Sequence, residues 1–433
     1  MKCIQCGTDN KLKDRTVNQG RCIKCNHPFA FEPTSMGKVK ITDPMFAKVL
    51  SDISANNTLF FTQKQLFYFF NSRLGTKSVT SIFSLLLGYL FFSLIIGFTS
   101  ANFTSGNQEI IALVLFIFNS FYIFNIFKTS DSSKLSPKNR RANARVLQII
   151  GILILSGGIY TSILVITSFY AFTLSVLMGM VSIYLGTQQL QNPKLSTQEL
   201  LFSENDFTNW VNRWQQINGL ITKILPSPRE DNTLATFNPD VTAYSFDRLV
   251  VCDRATIAQL LIANNFHFEN NCAILSITGY PQRIFETMMQ MLHRNPDLKV
   301  YAFHDCSPQG IGLVHHLRTS PKWFQDSNIV IIDIGLTPRQ IIAAKRGMFI
   351  QSSPESAQTA KKLVTEIRQN LSAEEIQFLE SGKFVELESF TPQRLIQVLQ
   401  KSIAGSQNIE SDDGGLFLAS DTGNDMYVVQ SFG

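Results

Sequence analysis

The sequence predicts a multi-domain protein. It has a small cysteine-bearing unit, a short helical unit, four apolar helices of membrane-spanning length and a C-terminal parallel α/β sheet. Three observations carry this. Only 16% of the 433 residues are charged and 35 are Phe, a composition that points to membrane-embedded sequence. Uncharged apolar runs follow one another between Val79 and Gly186. Short apolar runs then alternate with helix-like segments from Arg248 to Lys345, the pattern of a parallel sheet. The net charge of +5 is modest; basic flanks of membrane spans can supply it, so it does not by itself argue for nucleic acid.

Residues 1–32 carry CIQC (Cys3, Cys6) and CIKC (Cys22, Cys25), separated by 15 residues. Two thiolates three positions apart share one ion where the chain turns tightly, as Gly7 and Asn26 allow. Two such knuckles make a closed tetrahedral sulfur site, which suits zinc. So short a segment cannot bury a core of its own, so the metal supplies the folding energy of this zinc ribbon. All four ligand positions are Cys, which leaves none open for water and makes the expected role structural. His27, next to the second knuckle, is expected to be a bystander. The other cysteines, Cys252, Cys272 and Cys306, are scattered and do not form a disulfide framework. The first residues are polar, without an apolar run, so no secretory signal is expected.

Residues 38–77 begin with a helix over TDPMFAKVLSDI, with Asp43 as N-cap and Pro44 at the first helical position. Asn56 and Asn57 mark a turn, Leu59 to Phe61 a short strand, and Thr62 with Gln65 a capping box for a second helix. Helix, short strand, helix fits a small winged-helix-like unit. A juxtamembrane helical hairpin fits the same pattern.

Residues 78–187 hold four spans: Val79 to Thr99, Ile110 to Phe127, Val146 to Thr167 and Phe169 to Gly186. Each is long enough to cross about 30 Å of hydrocarbon as a helix. The last two nearly abut, which predicts a tight hairpin. Lys64, Arg73 and Lys77 precede the first span, and Lys128, Lys134, Lys138, Arg140, Arg141 and Arg145 lie between the second and third. The other two connections have no Lys or Arg. Cationic loops stay cytoplasmic, so both termini are expected in the cytoplasm, whose reducing conditions suit a thiolate site. No span has an Asp, Glu, Lys, Arg or His in its middle, which disfavours transport. The spans read as an anchor in the lipid bilayer.

Residues 200–404 form the α/β domain. Ser203 caps a helix to Asn218 that carries Trp210 and Trp214 on one face. Strands are expected at Arg248–Cys252, Cys272–Ile277, Lys299–Phe303 and Asn328–Ile332, each followed by a helix: Ala255–Ala263, Gln282–His293, Gly310–Leu317 and Pro338–Lys345. The strands are apolar without alternation, as in a sheet covered on both faces. Ligands of such sheets bind outside the carboxyl ends of the strands. That rim would gather Asp253, the Gly279-Tyr280-Pro281 turn, Asp305 in HDCSPQG and Asp333, with Gly279 and Gly310 as its turn glycines on the ligand side. Carboxylates on one rim can hold magnesium, and such an ion polarises a phosphodiester. Single acids at strand ends also occur simply as solvated caps.

DRLVVCDRATIAQLL, AILSITGYP, VYAFHDCSPQGIGL and IIDIGLTPRQI resemble, in order and spacing, the Toprim domain in the A chain of type IIB topoisomerases and in their meiotic break-forming relatives. The resemblance runs from about Phe246 to Ala344. It implies a C-terminal Toprim-like sheet and a magnesium site made of a Glu after the first strand and an Asp-x-Asp pair after the third. Here those positions read Asp253 and Asp305-Cys306-Ser307. The site has therefore lost one carboxylate, unless Asp333 compensates. The family also joins Toprim to a winged helix with a DNA-attacking Tyr, its motif a basic residue, three residues, then Tyr. Lys64-Gln65-Leu66-Phe67-Tyr68 is similar to that motif and makes Tyr68 the candidate nucleophile, with Asp253 and Asp305 the candidate catalytic acids. A Tyr hydroxyl needs a cation or metal beside it to react. The alternative for Tyr68 is membership of the Phe67–Phe70 aromatic cluster. The resemblance implies three partners: DNA, a second copy of the chain and a separate ATPase chain.

Residues 405–433 are acidic, without Lys or Arg, and are expected to be flexible. Three functions fit the sequence. The first is a membrane-tethered Toprim-like protein that cleaves or transesterifies DNA. The second is one that only binds a nucleic acid, nucleotide or protein. The third is a scaffold recruiting proteins through the zinc ribbon and the α/β domain. Ser307 favours the second over the first.

Overall fold

The structure is a computed structural model that describes residues 1–37, 39–75, 82–103, 108–131, 137–163, 169–191, 198, 200–228, 246–295, 297–325, 327–344 and 348–405. The acidic tail and the connection between the third and fourth spans lie outside them. Two compact units emerge. One joins Met1–Leu74 to Leu200–Ala344 and to the chain from Met348; the other is Gly75–Glu199.

The first unit opens with two matching knuckles. Gly7 N–H donates to Cys3 O at 2.9 Å, and Asn26 N–H to Cys22 O at 3.0 Å. Gly7 and Asn26 both take positive φ, 71° and 58°, as the tight turns require. Helix α1 (Leu12–Val17) lies between the knuckles. Helix α2 (Asp43–Ile53) is capped by Thr42, whose hydroxyl accepts from Met45 N–H at 3.4 Å. Asp43 is therefore not the cap. Its carboxylate accepts the N–H groups of Ala30 and Phe31, each at 2.9 Å, and so ties the helix to the chain leaving the second knuckle. Strand β1 (Phe61–Thr62) leads into α3 (Gln63–Gly75). The Thr62–Gln65 capping box is present, both bonds at 3.0 Å.

The second unit holds α4 (Ile82–Phe103), α5 (Gln108–Asp131), α6 (Pro137–Thr161) and α7 (Phe169–Gln191). All four are long and apolar enough to cross a membrane. Helix α6 begins well before Val146, so Arg140, Arg141 and Arg145 extend the helix rather than occupy a loop. Phe83, Leu94, Phe98 and Phe121 leave more than 60% of their surface uncovered. The α6–α7 contact is built on small residues. A Cβ on Gly151 would fall 2.8 Å from Gly179 O, one on Gly158 2.6 Å from Ser175, and one on Gly186 2.7 Å from Ala144 O. Partner numbers fall as α6 numbers rise, so the helices run antiparallel. Backbones approach this closely where only small side chains intervene. Ser182 Oγ adds a 2.7 Å bond to Leu147 O.

The chain returns to the first unit through α8 (Glu204–Asn218), capped by Ser203 as expected, and β2 (Ile224–Leu225). Strand β2 pairs in parallel with β1. Phe46, Leu66, Phe67, Tyr68 and Phe70 share one core with Phe202, Phe207 and Trp214. The helix-strand-helix segment therefore has no separate core: part of its apolar packing comes from beyond the four long helices.

Strands β3 (Arg248–Cys252), β4 (Cys272–Ser276), β5 (Lys299–Phe303) and β6 (Val330–Asp333) form a parallel sheet in the order β4-β3-β5-β6. Helices α9 (Ala255–Ala263) and α10 (Phe266–Glu269) separate the first two strands, and α11 (Gln282–Leu292) precedes β5. Next come α12 (Pro308–Ile311) and α13 (Leu313–Thr319). The helix expected from Gly310 is thus broken at Gly312. Leu249, Val251, Leu275, Val300 and Ala302 face α11 and α13, where Met288, Leu292, Leu313 and Leu317 meet them; α9 packs on β3 and β4. Each fully buried side chain of this kind stabilises the fold by roughly 1.5–3 kcal/mol. The β6 edge is less covered, with Val330 56% exposed. After α14 (Pro338–Ala343) comes a segment that the βα pattern did not anticipate: β7 (Gln351–Ser352), α15 (Pro354–Lys361), α16 (Thr365–Gln369), α17 (Ala373–Glu380) and β8 (Lys383–Phe384), antiparallel to β7. Helix α18 (Pro392–Gly405) closes it.

Candidate metal site and its charged surround

The strand order reverses between β3 and β5. The chain steps outward from β3 to β4, then crosses back to lay β5 on the other side of β3. Crevices at such switch points are where α/β sheets bind ligands. The residues that leave these two strands are Asp253 and Asp305, and the structure brings them together: Asp305 N–H donates to Asp253 Oδ2 at 2.8 Å.

Asp305 is 1% exposed. Its Oδ1 accepts Leu387 N–H at 2.6 Å, and its Oδ2 lies 2.7 Å from Arg254 Nε. Leu387 gets there because Cys306 and Val385 form an antiparallel bridge beside the end of β5. That bridge also delivers Glu386 and Glu388. Arg254 reaches Glu386 Oε1 at 2.9 Å and Glu388 at 3.9 Å. Lys64 Nζ sits 2.7 Å from Glu386, and Tyr68 Oη donates to Glu386 Oε2 at 2.7 Å. Gln351 Nε2 donates to the Tyr68 hydroxyl. Thr62 Oγ1 donates to Glu388 at 2.7 Å. The Lys64–Tyr68 helix, remote in sequence, is thus docked on the rim of the sheet through one buried carboxylate.

Burial raises Asp253, and it raises Asp305 further, with the charge of Asp253 adding to it and Arg254 opposing. Burial also raises Glu388. Glu386 goes the other way: burial works against it, but Lys64 and Arg254 outweigh that and hold it ionised. Tyr68 is raised well above the ordinary phenol, first by burial and then by the charge of Glu386. Its ring is 1% exposed and packs at 5.0 Å on Phe349.

Asp333 is drawn elsewhere. Its Oδ1 accepts Gly335 N–H and lies against His304 Nε2, both at 2.9 Å. His304 Nδ1 faces Asp305 O at 2.8 Å, so both ring nitrogens meet acceptors and the imidazolium form is favoured. Burial opposes that charge, but Asp333 lifts His304 to about 9. The ring lies close on Gly335, where a Cβ would come within 2.3 Å of it. The turn glycines have local reasons to be small. A Cβ on Gly310 would strike Asp305 O at 2.2 Å, and Gly279 takes φ +86° in the turn after the edge strand β4. Ser307, at the position where the Toprim family has its second acid, accepts Gly310 N–H at 3.0 Å as a helix cap.

Two features bear on metals. Cys3, Cys6, Cys22 and Cys25 have Sγ atoms all within 4.8 Å of one another; Cys3–Cys25 and Cys6–Cys22 are at 3.6 and 3.5 Å. Among the described residues this is the one group of three or more His, Cys, Asp or Glu ligands so placed. Zn–S bonds of about 2.3 Å in a tetrahedron require sulfurs roughly 3.8 Å apart, so the cluster fits that ion. His27 is not part of it and meets Asn218 Oδ1 at 3.0 Å. At the sheet rim, Asp305 Oδ2 is paired with Arg254, while Asp253 Oδ1 is buried without a hydrogen bond among the described residues. An orphaned buried carboxylate oxygen calls for a donor or a cation, and hard oxygen donors suit magnesium.

Sequence reasoning missed Glu386 and Glu388. The available signal was Val385-Glu386-Leu387-Glu388, an alternation that puts two acids on one side of an extended chain.

Fold and site define a class: parallel α/β modules with acidic strand ends converging at the switch point. Residues 249–402 match the family model for the Toprim domain of Spo11 and of the topoisomerase 6 A chain. The α/β part of the chain is similar to that domain and is Toprim-like. No curated protein matches the chain.

Proposed function

We propose that this chain is a membrane-tethered, Toprim-like protein that binds DNA at the cytoplasmic face, with Asp253 and Asp305 holding one magnesium ion. The observation that carries the reading is the meeting of Asp253 and Asp305 at the switch point, where Asp253 Oδ1 is buried without a hydrogen bond among the described residues. Bound there, magnesium would supply positive charge to a phosphodiester. Asp253 and Asp305 position each other through the 2.8 Å bond, and the backbone of Leu387 fixes Asp305. The four apolar helices support the anchor, and the Lys and Arg distribution supports cytoplasmic termini. The four sulfurs support a structural zinc. Binding without cutting is favoured over transesterification, because Tyr68 is buried and its hydroxyl is engaged by Glu386.

The test uses the full chain in detergent, with fluorescent duplex DNA, with and without magnesium. DNA binding strengthened by magnesium and weakened by Asp305→Asn is expected, with Tyr68→Phe binding as wild type. A covalent protein–DNA adduct formed by wild type and lost in Tyr68→Phe would replace binding by transesterification. Equal behaviour of all three proteins, with or without magnesium, would end the reading.

A further inference from the structure

The unit built on the two cysteine knuckles leaves both aliphatic and cationic side chains in solvent. Its own core holds little more than Cys3, Cys22 and Phe29. Val17, at the end of α1, is 85% exposed, Ile23 in the second knuckle 55% and Leu12 49%. Val17 and Ile23 line one groove of about 290 Å³ with Lys13, Asp14 and Asn18, so α1 and the second knuckle present a single face. Lys13 is exposed, and so are Lys11 and Lys24, the chain neighbours of Leu12 and Ile23. The acids of the unit are engaged. Asp9 pairs with the N-terminal ammonium at 2.9 Å, Asp14 accepts Lys11 N–H at 2.8 Å, and Glu32 pairs with Arg15 at 2.9 Å. Lys11, Lys13 and Lys24 have no ion pair among the described residues.

We propose that this face docks on the surface of an anionic bilayer, with the lysines at the lipid phosphates and Leu12, Val17 and Ile23 at the boundary between headgroups and acyl chains. The proposal rests on the membrane-tethered reading above and adds to it an electrostatic contact outside the four long helices. Cations beside aliphatic side chains are what an interfacial surface requires. Nucleic acid fits this face less well. The Phe, Tyr and Trp side chains of residues 1–32 are Phe29 and Phe31 alone, 6% and 3% exposed. The face therefore offers bases no such ring to stack on, and an exposed Val17 gains nothing from phosphates. Chain length favours the bilayer as well. The knuckles belong to the same compact unit as α3, and residues 76–81 alone join α3 to α4. Fully extended, that link covers at most roughly 25 Å. A bilayer crossed by α4 is thus held at high effective concentration beside the unit.

The experiment reconstitutes the full chain in nanodiscs of phosphatidylcholine alone or of an equal mixture with phosphatidylglycerol, and reads hydrogen exchange across Lys11–Cys25 by mass spectrometry. Exchange should be slower in the anionic discs, and the difference should shrink as salt screens the contact. Lys13→Gln and Lys24→Gln should each lower that protection about fivefold, the worth of one cation at an anionic surface. Val17→Ser should lower it as well. Exchange of the same amides in neutral discs, equal in wild type and variants, shows that the knuckles stay folded. Co-elution of the chain with discs of both compositions at high salt reads the tether separately. A chain that does not co-elute would overturn the tether and the docking together. A chain that co-elutes but exchanges equally in both lipids would overturn the docking alone. Protection that appears in neutral discs only with added duplex DNA would make the face a nucleic-acid surface. Protection in both lipids that disappears on deleting residues 406–433 would make the acidic tail its occupant. Either result overturns the proposal.

Discussion

Tyr68 is the residue on which a reactive and an architectural role part company, and removing its hydroxyl separates them. Phe fills the same volume, so Tyr68→Phe deletes the 2.7 Å bond to Glu386 and the acceptor of Gln351, and nothing else. Glu386 keeps Lys64 and Arg254, so it stays ionised and no charge is stranded. A hydrogen bond to a charged group contributes about 1.5–3 kcal/mol. The loss should appear as easier opening of α3, because that helix is held to the sheet rim through this carboxylate. Hydrogen exchange read by mass spectrometry on the full chain reports such local opening directly. At about 1.4 kcal/mol per decade, protection across Leu66–Asn71 should fall roughly 10- to 150-fold. Glu386→Gln should fall further, since it removes the ion pair of Lys64 as well, while Arg254 keeps Asp305 and Glu388. Protection in Tyr68→Phe within threefold of wild type would show that the hydroxyl is not held by Glu386, and the docking of α3 would need another cause.

Further outcomes follow from the same geometry. His304 titrates at about 9 when folded against 6.5 when unfolded. Its contribution is therefore fully present below about pH 6.5 and lost as pH rises through 9, roughly 3 kcal/mol in all at 1.36 kcal/mol per pH unit. Melting temperature should fall between pH 7 and 10, and Asp333→Asn should flatten that fall. Asp333 itself is held low: burial opposes this, but His304 outweighs it. Its share is accordingly lost only in acid, as pH falls through its depressed value. Chelation of zinc should open residues 1–32 to proteolysis, and elemental analysis should find one zinc per chain, lost in Cys22→Ser. Gly151→Leu should wedge α6 from α7, since even a Cβ there meets Gly179 O at 2.8 Å; cysteine cross-linking across the two helices would show the separation.

Much of the architecture was legible because it rests on local pattern. Strands Arg248–Cys252 and Lys299–Phe303 and helix Ala255–Ala263 match their expected bounds, since buried parallel strands and their helices announce themselves by continuous apolar runs. The cap of α2 was misassigned because Thr42 and Asp43 are both good capping residues, and the backbone groups of Ala30 and Phe31 that claim Asp43 lie more than ten positions away along the chain. The break at Gly312 and the early start of α6 are shifts of element ends, where local signals are weakest.

By itself the sequence determined the elements: two cysteine knuckles, four long apolar helices, and a βα alternation that puts Asp253 and Asp305 at strand ends. These depend on side-chain periodicity and turn chemistry, which act over a few residues. Only the tertiary structure decided which acids share a site. It diverted Asp333 to His304 and carried Glu386 to Arg254, Lys64 and Tyr68, across 322 positions of chain from Lys64. Burial of the His304 ring and of the Glu386 carboxylate enforces these pairings. A carboxylate taken out of water must find a cation or donor wherever the fold brings one, and that partner is set by strand order and crossover, not by neighbours in the chain.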